Sequence, residues 1–309
     1  MSADKLTITI GIPAHNEEGT ISTLLESIAN QVCDNFVLEK VIVACDGCTD
    51  STAQVAREFT NCTVIDDGQR LGQAGRLSEF YKLNTSDVFI TFDADTKLAN
   101  NYVLEELVKP FASKEVGIVG GNPVPYKAQN LFENIVVTWI RVWYETRKNL
   151  FNGISIHNHN GKISAVRKEA VDSFVIPNDV YANDDFLYIS VIKKGFKFAF
   201  APKAIVLYRA PNNIRDYFLQ HGRFVSLKDR MFEYFGDEVR EMYYVPLSYK
   251  LKAMVRVALR SPLYLSLAIV FETTLRKFKD RLIEHYKGVS WTEASSTKDV
   301  NKDLGGAFA

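Results

Sequence analysis

Residues 88–95 read Val-Phe-Ile-Thr-Phe-Asp-Ala-Asp, an apolar run that ends in two carboxylates separated by one small residue. A short run rich in β-branched and aromatic residues is typical of a strand buried on both faces. Both carboxylates would then project from the end of a central strand. Such a pair suits Mg²⁺ or Mn²⁺, so Asp93 and Asp95 are candidate metal ligands. The alternative is a pair of solvated aspartates in a turn.

Short apolar runs alternate with amphipathic patterns along the first third of the chain. The runs predict strands at residues 6–12, 37–44, 62–65 and 88–92, and the patterns predict helices at residues 21–30, 51–59, 74–83 and 102–111. Strands that alternate with helices form a mainly parallel sheet flanked by helices, which is an α/β fold. Ligands of such sheets bind beyond the carboxyl ends of the strands.

The pattern changes after residue 115. Here we predict strands at residues 116–119, 162–166 and 196–207 and a long helix at residues 130–150. The helix carries an aromatic stripe that includes Trp139 and Trp143; we interpret it as core packing, and stacking on acceptor sugar rings is the alternative. Residues 1–235 are therefore expected to form one domain, with a first half at 1–97 and a second at 98–235.

Residues 236–309 form a third section, predicted to be an amphipathic helical extension followed by a flexible tail. Its longest apolar stretch, residues 263–271, is too short to span a bilayer, which needs about 20 residues. Two interpretations stay open for residues 250–280: peripheral contact with an anionic membrane, or a helix packed on the body of the protein. The flanking basic residues are Lys250, Lys252, Arg256, Arg260, Arg276 and Lys277.

Composition narrows the function classes. The chain of 309 residues is 47% hydrophobic, and its 37 Lys and Arg balance 37 Asp and Glu, which argues against nucleic acid as a partner. A strand pattern begins close to Met1, so we expect no secretory signal and a cytoplasmic protein, at the inner face of the membrane if the extension binds lipid. The four cysteines make a poor disulfide framework and suggest a reducing compartment.

Asp46 ends the second predicted strand and is followed by Gly47, which permits a tight turn. Its carboxylate could accept a hydrogen bond from the N–H of a nucleotide base. Cys45 and Cys48 spell C-x-x-C at the same place, the setting of a thioredoxin-like redox pair, so a thiol redox protein is a competing hypothesis. The surrounding carboxylates would disfavour a thiolate there.

Four segments, in this order, resemble the family 2 glycosyltransferases, which are inverting enzymes of the A-type glycosyltransferase fold. They are residues 12–18 (Ile-Pro-Ala-His-Asn-Glu-Glu), the Asp46 segment, residues 70–76 (Arg-Leu-Gly-Gln-Ala-Gly-Arg) and residues 93–95. The resemblance runs from about residue 7 to residue 230. It implies a nucleotide-binding, Rossmann-like sheet, a nucleotide-diphospho-sugar donor with UDP-sugars favoured, and Mn²⁺ or Mg²⁺ as cofactor.

The resemblance also implies which residues meet the donor. Residues 70–76 match the family's N-x-G-K-A-G-A run only in their small residues, but the two arginines could bind a diphosphate. The implied nucleotide-sugar-binding residues are Pro13, Ala14, Asn16, Glu17, Asp46, Arg70, Gly72, Arg76 and Asp93.

An inverting displacement also needs a base that takes the acceptor proton. Asn183-Asp184-Asp185 stands where the family usually has Glu-Asp, which implies Asp184 as the base and Asp185 as the second choice. Two helix-start carboxylates, favoured by the helix dipole, are the alternative.

Residues 220–224 (Gln-His-Gly-Arg-Phe) resemble the Q-x-x-R-W motif of the processive and lipid-linked branches of the family. The likeness implies that Arg223 neutralises the departing diphosphate, while Gln220 and Phe224 line the acceptor channel. A plain surface helix is the alternative.

His159 follows His157 in an extended segment before Gly161, so it could complete the metal shell with the two aspartates. A loop histidine without a ligand role is the alternative.

These residues together predict transfer of a sugar from a nucleotide-diphospho-sugar to a carbohydrate or lipid-linked acceptor hydroxyl, in polysaccharide or glycolipid synthesis. A second hypothesis is a nucleotide-sugar-binding module without catalysis, because residues 70–76 and Asn183 depart from the family pattern.

Overall fold

The computed structural model describes residues 5–224, 227–277 and 295–298, and within them a single eight-stranded sheet lies between layers of helices. The strands are β1 Leu6–Ala14, β2 Phe36–Cys45, β3 Cys62–Ile65, β4 Val88–Phe92, β5 Thr96–Leu98, β6 Val116–Pro125, β7 Ile163–Arg167 and β8 Lys197–Tyr208. The helices are α1 Ile21–Ala29, α2 Thr52–Arg57, α3 Gly72–Leu83, α4 Val103–Val108, α5 Leu131–Arg147, α6 Asn183–Lys193, α7 Ile214–Phe224, α8 Leu227–Phe235, α9 Leu247–Ala258 and α10 Pro262–Lys277.

The strand order is β3-β2-β1-β4-β7-β6-β8-β5. The first four strands are parallel to one another, as are β6 and β8. β7 runs antiparallel between β4 and β6, and β5 runs antiparallel to β8 at the edge. The predicted mainly parallel α/β sheet is thus confirmed, with β7 as the strand that joins its two halves.

The apolar run that makes β4 is explained by helices on both faces of the sheet. Val88, Ile90 and Phe92 pack in one core with α1 and α4. Phe89, which points the other way, packs in a second core with α3 and α6. All five residues of the strand are buried, as expected for a central strand covered on both sides.

The predicted long helix is shorter than expected. It ends at Arg147 as α5, and the chain then turns through Phe151 and Asn152, both with positive φ, which a continuous helix cannot contain. β5 was not predicted, because three residues are too few to show a strand period.

The C-terminal extension packs on the second half through α5. Trp139 and Val142 of α5 meet Ala253 and Val257 of α9 and Leu265 of α10 in a small apolar core. This confirms core packing for Trp139. Within the described ranges, no helix is long and apolar enough to cross a bilayer.

Gly120 provides a test of how tightly the second half is packed. It pairs with Ser164 of β7, and a Cβ atom at this position would lie 2.2 Å from the carbonyl oxygen of Asn158. Because backbone must move to relieve that clash, Gly120→Ala should lower the free energy of unfolding by about 1–3 kcal/mol in urea denaturation. Gly19→Ala is the control, since its Cβ would be 3.7 Å from the nearest atom. Equal stability of both variants would contradict the packing described for β6.

Candidate active site

The loops that follow β1 and β2 lie side by side at the edge of the sheet that is formed by the carboxyl ends of the parallel strands. Ala14 is in register with Cys45, and the Asp46 amide donates to the Ala14 carbonyl over 2.8 Å. Beyond the strands, the Thr49 amide donates to Asn16 Oδ1 over 2.8 Å. The structure therefore brings together the first two predicted nucleotide-binding segments.

The residues of the first segment differ in accessibility. Pro13 and Ala14 are the last residues of β1 and are buried, so they shape the site without exposing side chains. Asn16 and Glu17 are half-buried, and Asn16 has a left-handed backbone with φ +52°. Burial, followed by the negative charge of Asp95, raises the pKa of Glu17 to about 7. Glu17 thus lies within electrostatic reach of the β4 carboxylates.

Asp46 is fully buried, and its carboxylate is engaged by the protein. It accepts hydrogen bonds from the amides of Leu71 and Gly72, at 2.7 and 3.1 Å, and from Arg76 Nε at 3.2 Å. Gly72 has φ +74°, a conformation that favours glycine. The predicted base contact is corrected accordingly: Asp46 holds the turn before α3, because no oxygen of this buried carboxylate faces outward.

Arg76 also requires a correction. Its side chain is fully buried, and it pairs with Asp46, with Asp67 at 2.7 Å and with Glu79 at 3.0 Å. A guanidinium held in this way cannot turn towards a diphosphate. Arg70 is exposed, and its Nη1 contacts the ring of His15, so it is the arginine of this segment that can reach a ligand.

Asp93 and Asp95 are half-buried in the turn after β4, where a lysine approaches them. Because Phe92 pairs with Ile163, Lys162 stands opposite Asp93, and its Nζ lies 3.5 Å from Asp93 Oδ2. Burial lowers the pKa of Lys162, but the charges of Asp95 and Asp93 outweigh it and raise that pKa. Lys162 is therefore an ammonium, and no local sequence pattern indicates its place beside the two aspartates.

The two aspartates fit a metal site in which the protein supplies only some of the ligands. Among the residues that the structure describes, no three His, Cys, Asp or Glu side chains come together in a way that could hold a metal ion. Asp93 and Asp95 offer hard, partly accessible oxygens that suit Mn²⁺ or Mg²⁺. The remaining ligands would have to come from substrate phosphate and water.

His159 is not available as a third ligand. It is buried, its Nε2 lies 2.7 Å from Ser164 Oγ, and its Nδ1 lies 3.0 Å from the Asp184 carbonyl oxygen. Burial lowers its pKa to about 4. Since both ring nitrogens have protein partners, the predicted metal role is replaced by a structural one that positions the start of α6.

Asp184 lies in the first turn of α6, next to Asn183, which Gln73 links to Asp93. Burial raises the pKa of Asp184, and it is also the main cause of the raised pKa of Asp93, to which the charge of Asp184 adds. The two groups therefore lie within electrostatic reach of each other, and we call the space between β4 and the start of α6 the cleft. Asp185 instead accepts a hydrogen bond of 2.9 Å from the Tyr243 hydroxyl. The two neighbouring aspartates therefore have different surroundings, and Asp184 is the one beside Asp93.

Gln73 links the two halves across this cleft. Its Nε2 donates to Asp93 Oδ1 over 3.2 Å, while its Oε1 accepts from Asn183 Nδ2 over 3.3 Å. In the sequence, Gln73 stands where the family run N-x-G-K-A-G-A has its lysine. Its place between β4 and α6 is a tertiary contact that local sequence does not encode.

The remaining predicted residues lie on α7. Gln220 is half-buried there, and Tyr217 and Phe218 of the same helix pack against α5 and α10. The side chains of Arg223 and Phe224 lie outside the described residues, so their roles stay predictions.

The two cysteines of the C-x-x-C pair lie where β2 ends, next to the end of β1. All four cysteines are free thiols; Cys45 is fully buried, and Cys48 Sγ donates to the Ala14 carbonyl over 3.4 Å. A hydrogen bond with Cys45 lowers the pKa of Cys48 to about 7. The two thiols thus support the same loops that carry Asn16 and Asp46.

Comparison with known proteins gives a family. The model of glycosyl transferase family 2 matches residues 9–174. A beta-monoglucosyldiacylglycerol synthase from Nostoc sp. is 26% identical over 187 residues, which cover 58% of this chain and 39% of that protein. The O-antigen chain rhamnosyltransferase RfbN of Salmonella typhimurium is 24% identical over 211 residues, covering 64% and 65%. The chain thus spans less than half the length of the first relative.

Solved structures show the same fold. A mannosyltransferase from Pyrobaculum calidifontis, in complex with GDP-Man and Mn²⁺, superposes with a TM-score of 0.58 at 18% identity, covering 94% of this chain and 78% of that one. Glucosyl-3-phosphoglycerate synthase from Mycobacterium tuberculosis, with Mn²⁺, UDP and phosphoglyceric acid, gives 0.54 at 18% identity, covering 74% and 78%. The predicted A-type glycosyltransferase fold is confirmed.

The buried Arg76–Asp46 pair predicts a large stability effect. Arg76→Met should lower the free energy of unfolding by about 3 kcal/mol or more, because it leaves the Asp46 carboxylate buried without its cation. Urea denaturation followed by circular dichroism measures this change. Arg57→Met removes an exposed pair with Asp66 and should cost less than about 1 kcal/mol. Similar losses of unfolding free energy in both variants would show that Arg76 does not support the turn before α3.

Proposed function

This chain belongs to glycosyl transferase family 2, and on that basis we propose that it transfers a sugar from a nucleotide-diphospho-sugar to an acceptor hydroxyl, with inversion at the anomeric carbon. The observation that carries the proposal is the meeting of Asp93, Asp95 and Asp184 around Lys162 at one edge of the sheet. Carboxylates that can hold a cation and one that can accept a proton are the groups such a transfer requires.

The donor would lie along residues 15–19, which we name the donor loop, with Arg70 beside it. Asp93, Asp95 and Asp184 carry more negative charge than Lys162 balances, so an anionic diphosphate needs a divalent cation between it and the protein. Asp93 and Asp95 would hold Mn²⁺ or Mg²⁺, which neutralises charge on the leaving nucleotide diphosphate. The similar structures bound to Mn²⁺ with UDP or GDP-Man support this donor class; UDP-sugars are favoured.

Asp184 would act as the base. Burial raises its pKa, which makes the carboxylate a better proton acceptor than an exposed aspartate. Asp185 is less suited, because its carboxylate is bound by the Tyr243 hydroxyl of a different segment, whereas the charge of Asp184 reaches Asp93. Asp184 removes the acceptor proton as the hydroxyl attacks the anomeric carbon from the face opposite the departing diphosphate.

The acceptor side would be formed by the second half of the domain. In this proposal Gln220 and Phe224 line the channel, and Arg223 adds positive charge for the leaving diphosphate. We propose a lipid-linked acceptor, and the name of the diacylglycerol-glucosylating relative supports that choice.

A row of exposed apolar side chains on the C-terminal helices supports membrane contact at residues 250–280. Ala253 and Val257 of α9 pack inward, whereas Leu251 and Val255, on the opposite face, are exposed. Leu259, just after α9, is 82% exposed. The exposed apolar face consists of Leu247, Leu251, Val255, Leu259, Leu263, Leu267 and Val270.

Charge complementarity indicates what covers this face. Lys250, Lys252, Arg256 and Arg260 are exposed around it, while the acidic residue of α10, Glu272, is buried against the Tyr217 hydroxyl. An apolar stripe flanked by cations is typical of a helix that lies in the interface of an anionic bilayer. We therefore propose an anionic membrane as the partner of the exposed apolar face.

The carboxylates provide the test of catalysis. Asp93→Asn and Asp184→Asn should each reduce the rate of nucleotide diphosphate release with acceptor by about 1,000-fold or more, because one weakens cation binding and the other removes the base. Calorimetry should separate their causes: Asp184→Asn keeps its affinity for the nucleotide with Mn²⁺, and Asp93→Asn loses it.

Asp34→Asn is the matched control, because this exposed residue lies just before β2, at the amino end of the strand and so away from the carboxylates. It should transfer sugar at the normal rate. Nucleotide binding by the wild-type protein without transfer to any lipid or carbohydrate acceptor would instead favour the non-catalytic binding module. Full activity of Asp184→Asn would refute its assignment as the base.

Membrane contact is tested by placing charge in the exposed apolar face. The double variant Leu251→Glu with Val255→Glu should reduce cosedimentation with phosphatidylglycerol vesicles by about 10-fold or more, because it removes apolar contact and adds repulsion. The control pair, Val37→Glu with Leu83→Glu, alters exposed apolar residues on the body. If the wild-type protein does not bind anionic vesicles, the membrane proposal is refuted. Sedimentation velocity then distinguishes the two other occupants of the exposed apolar face: a dimer indicates a second copy, and a monomer indicates the chain's own C-terminal segment.

A further inference from the structure

A short segment far along the chain lies on the donor loop. Residues Ser295–Lys298 form one turn of 3-10 helix, and the Lys298 ammonium donates to the carbonyl oxygen of His15 over 3.0 Å and to that of Asn16. The same ammonium lies 3.3 Å from Glu17 Oε1. Three successive residues of the donor loop therefore share one cation.

The other side of this segment is attached to the second half of the domain. The Ser296 amide donates to Asp216 Oδ2 over 2.8 Å, and Ser296 Oγ accepts from the Asn212 amide over 3.4 Å. Thr297, between the two anchor points, is buried. Asp216 belongs to the first turn of α7, the helix that carries Gln220. Residues 295–298, which we name the C-terminal clasp, thus bridge the donor loop and α7.

The donor loop needs support from outside itself. Asn16 has φ +52°, a left-handed conformation that residues other than glycine seldom adopt unless their surroundings fix it. The Thr49 amide holds the Asn16 side chain from one side, and Lys298 holds its carbonyl oxygen from the other. The ammonium thus adds to the contacts that fix this backbone from the β2 side, where the Asn16 amide donates to Cys48 Sγ and the Glu17 amide to Thr52 Oγ1.

Charge gives the clasp a second effect. The Glu17 carboxylate is largely buried and lies near Asp95, so the two negative charges repel each other. Lys298 balances Glu17 at one carboxylate oxygen, while the Thr20 hydroxyl donates to the other over 2.7 Å, so the two together hold Glu17 against the loop. Without that cation, Glu17 would be expected to turn towards water or to compete for the divalent ion.

We infer that the C-terminal clasp holds the donor loop in its ligand-binding conformation, and that Lys298 is a positioning residue for the nucleotide diphosphate. This inference rests on the proposed function, because it assigns the donor to the same loop. The clasp does not take part in sugar transfer; it acts through the backbone of Asn16 and the carboxylate of Glu17.

Calorimetric titration of the full-length chain with UDP and with GDP, each in the presence of Mn²⁺, tests the clasp. Lys298→Ala should weaken nucleotide binding by about 10-fold, the usual effect of losing a charge-assisted contact, and Lys298→Arg should restore most of it. In sugar transfer, Lys298→Ala should raise KM for the donor by a similar factor, with a much smaller change in kcat.

A second variant tests the anchor on α7. Ser296→Pro removes the amide that bonds to Asp216 and should weaken nucleotide binding in the same direction, with little further loss when it is combined with Lys298→Ala. Lys203→Ala, an exposed lysine on β8, is the matched control and should bind normally.

The outcomes separate the clasp from the proposed function. If the wild-type protein binds neither nucleotide with Mn²⁺, the proposed donor site itself is refuted. If the wild-type protein binds and Lys298→Ala binds equally well, the clasp is refuted while the donor site stands. A folded Lys298→Arg variant as weak as Lys298→Ala would also overturn the inference, because a cation at this position would then not be what holds the loop.

Discussion

The antiparallel pairing of β7 with β4 is the constraint on which the rest of the site depends. It joins the parallel strands of the first half to β6 and β8 of the second. The register of Phe92 with Ile163 also sets Lys162 opposite Asp93. A slip of one residue would turn the side chains of β7 to the other face of the sheet and remove the ammonium from the carboxylates. Fold and electrostatics are thus specified by one ladder of hydrogen bonds.

Like charges gathered in a half-buried cleft destabilise the folded protein, and Lys162 offsets only part of that cost. Natural sequences keep such a conflict mainly where function requires it. Here the excess charge is negative, so a bound cation would reduce the repulsion. The buried Asp46–Arg76 pair differs, because its charges are balanced within the protein and serve the turn before α3.

Much of the fold was predictable, and the site only partly so. The strand at 88–92 and the aspartates after it were visible because burial on both faces leaves an unbroken apolar run. A family motif predicts Arg76 as a diphosphate ligand, and a loop position predicts His159 as a metal ligand, but the structure surrounds both with protein partners. Lys162 was missed since its contact with Asp93 spans 69 positions in sequence, a separation at which local patterns carry no information.

Of the two interpretations that the sequence left open for the C-terminal extension, packing on the body is confirmed, and membrane contact stays a proposal. The inner face of the extension packs on α5, and its outer face remains apolar and rimmed by cations. β6 is antiparallel to β7 and so runs in the same direction as β4, which places the start of α5, just after β6, at the edge that holds the carboxylates. A bilayer on the outer face would therefore have a fixed orientation relative to the cleft.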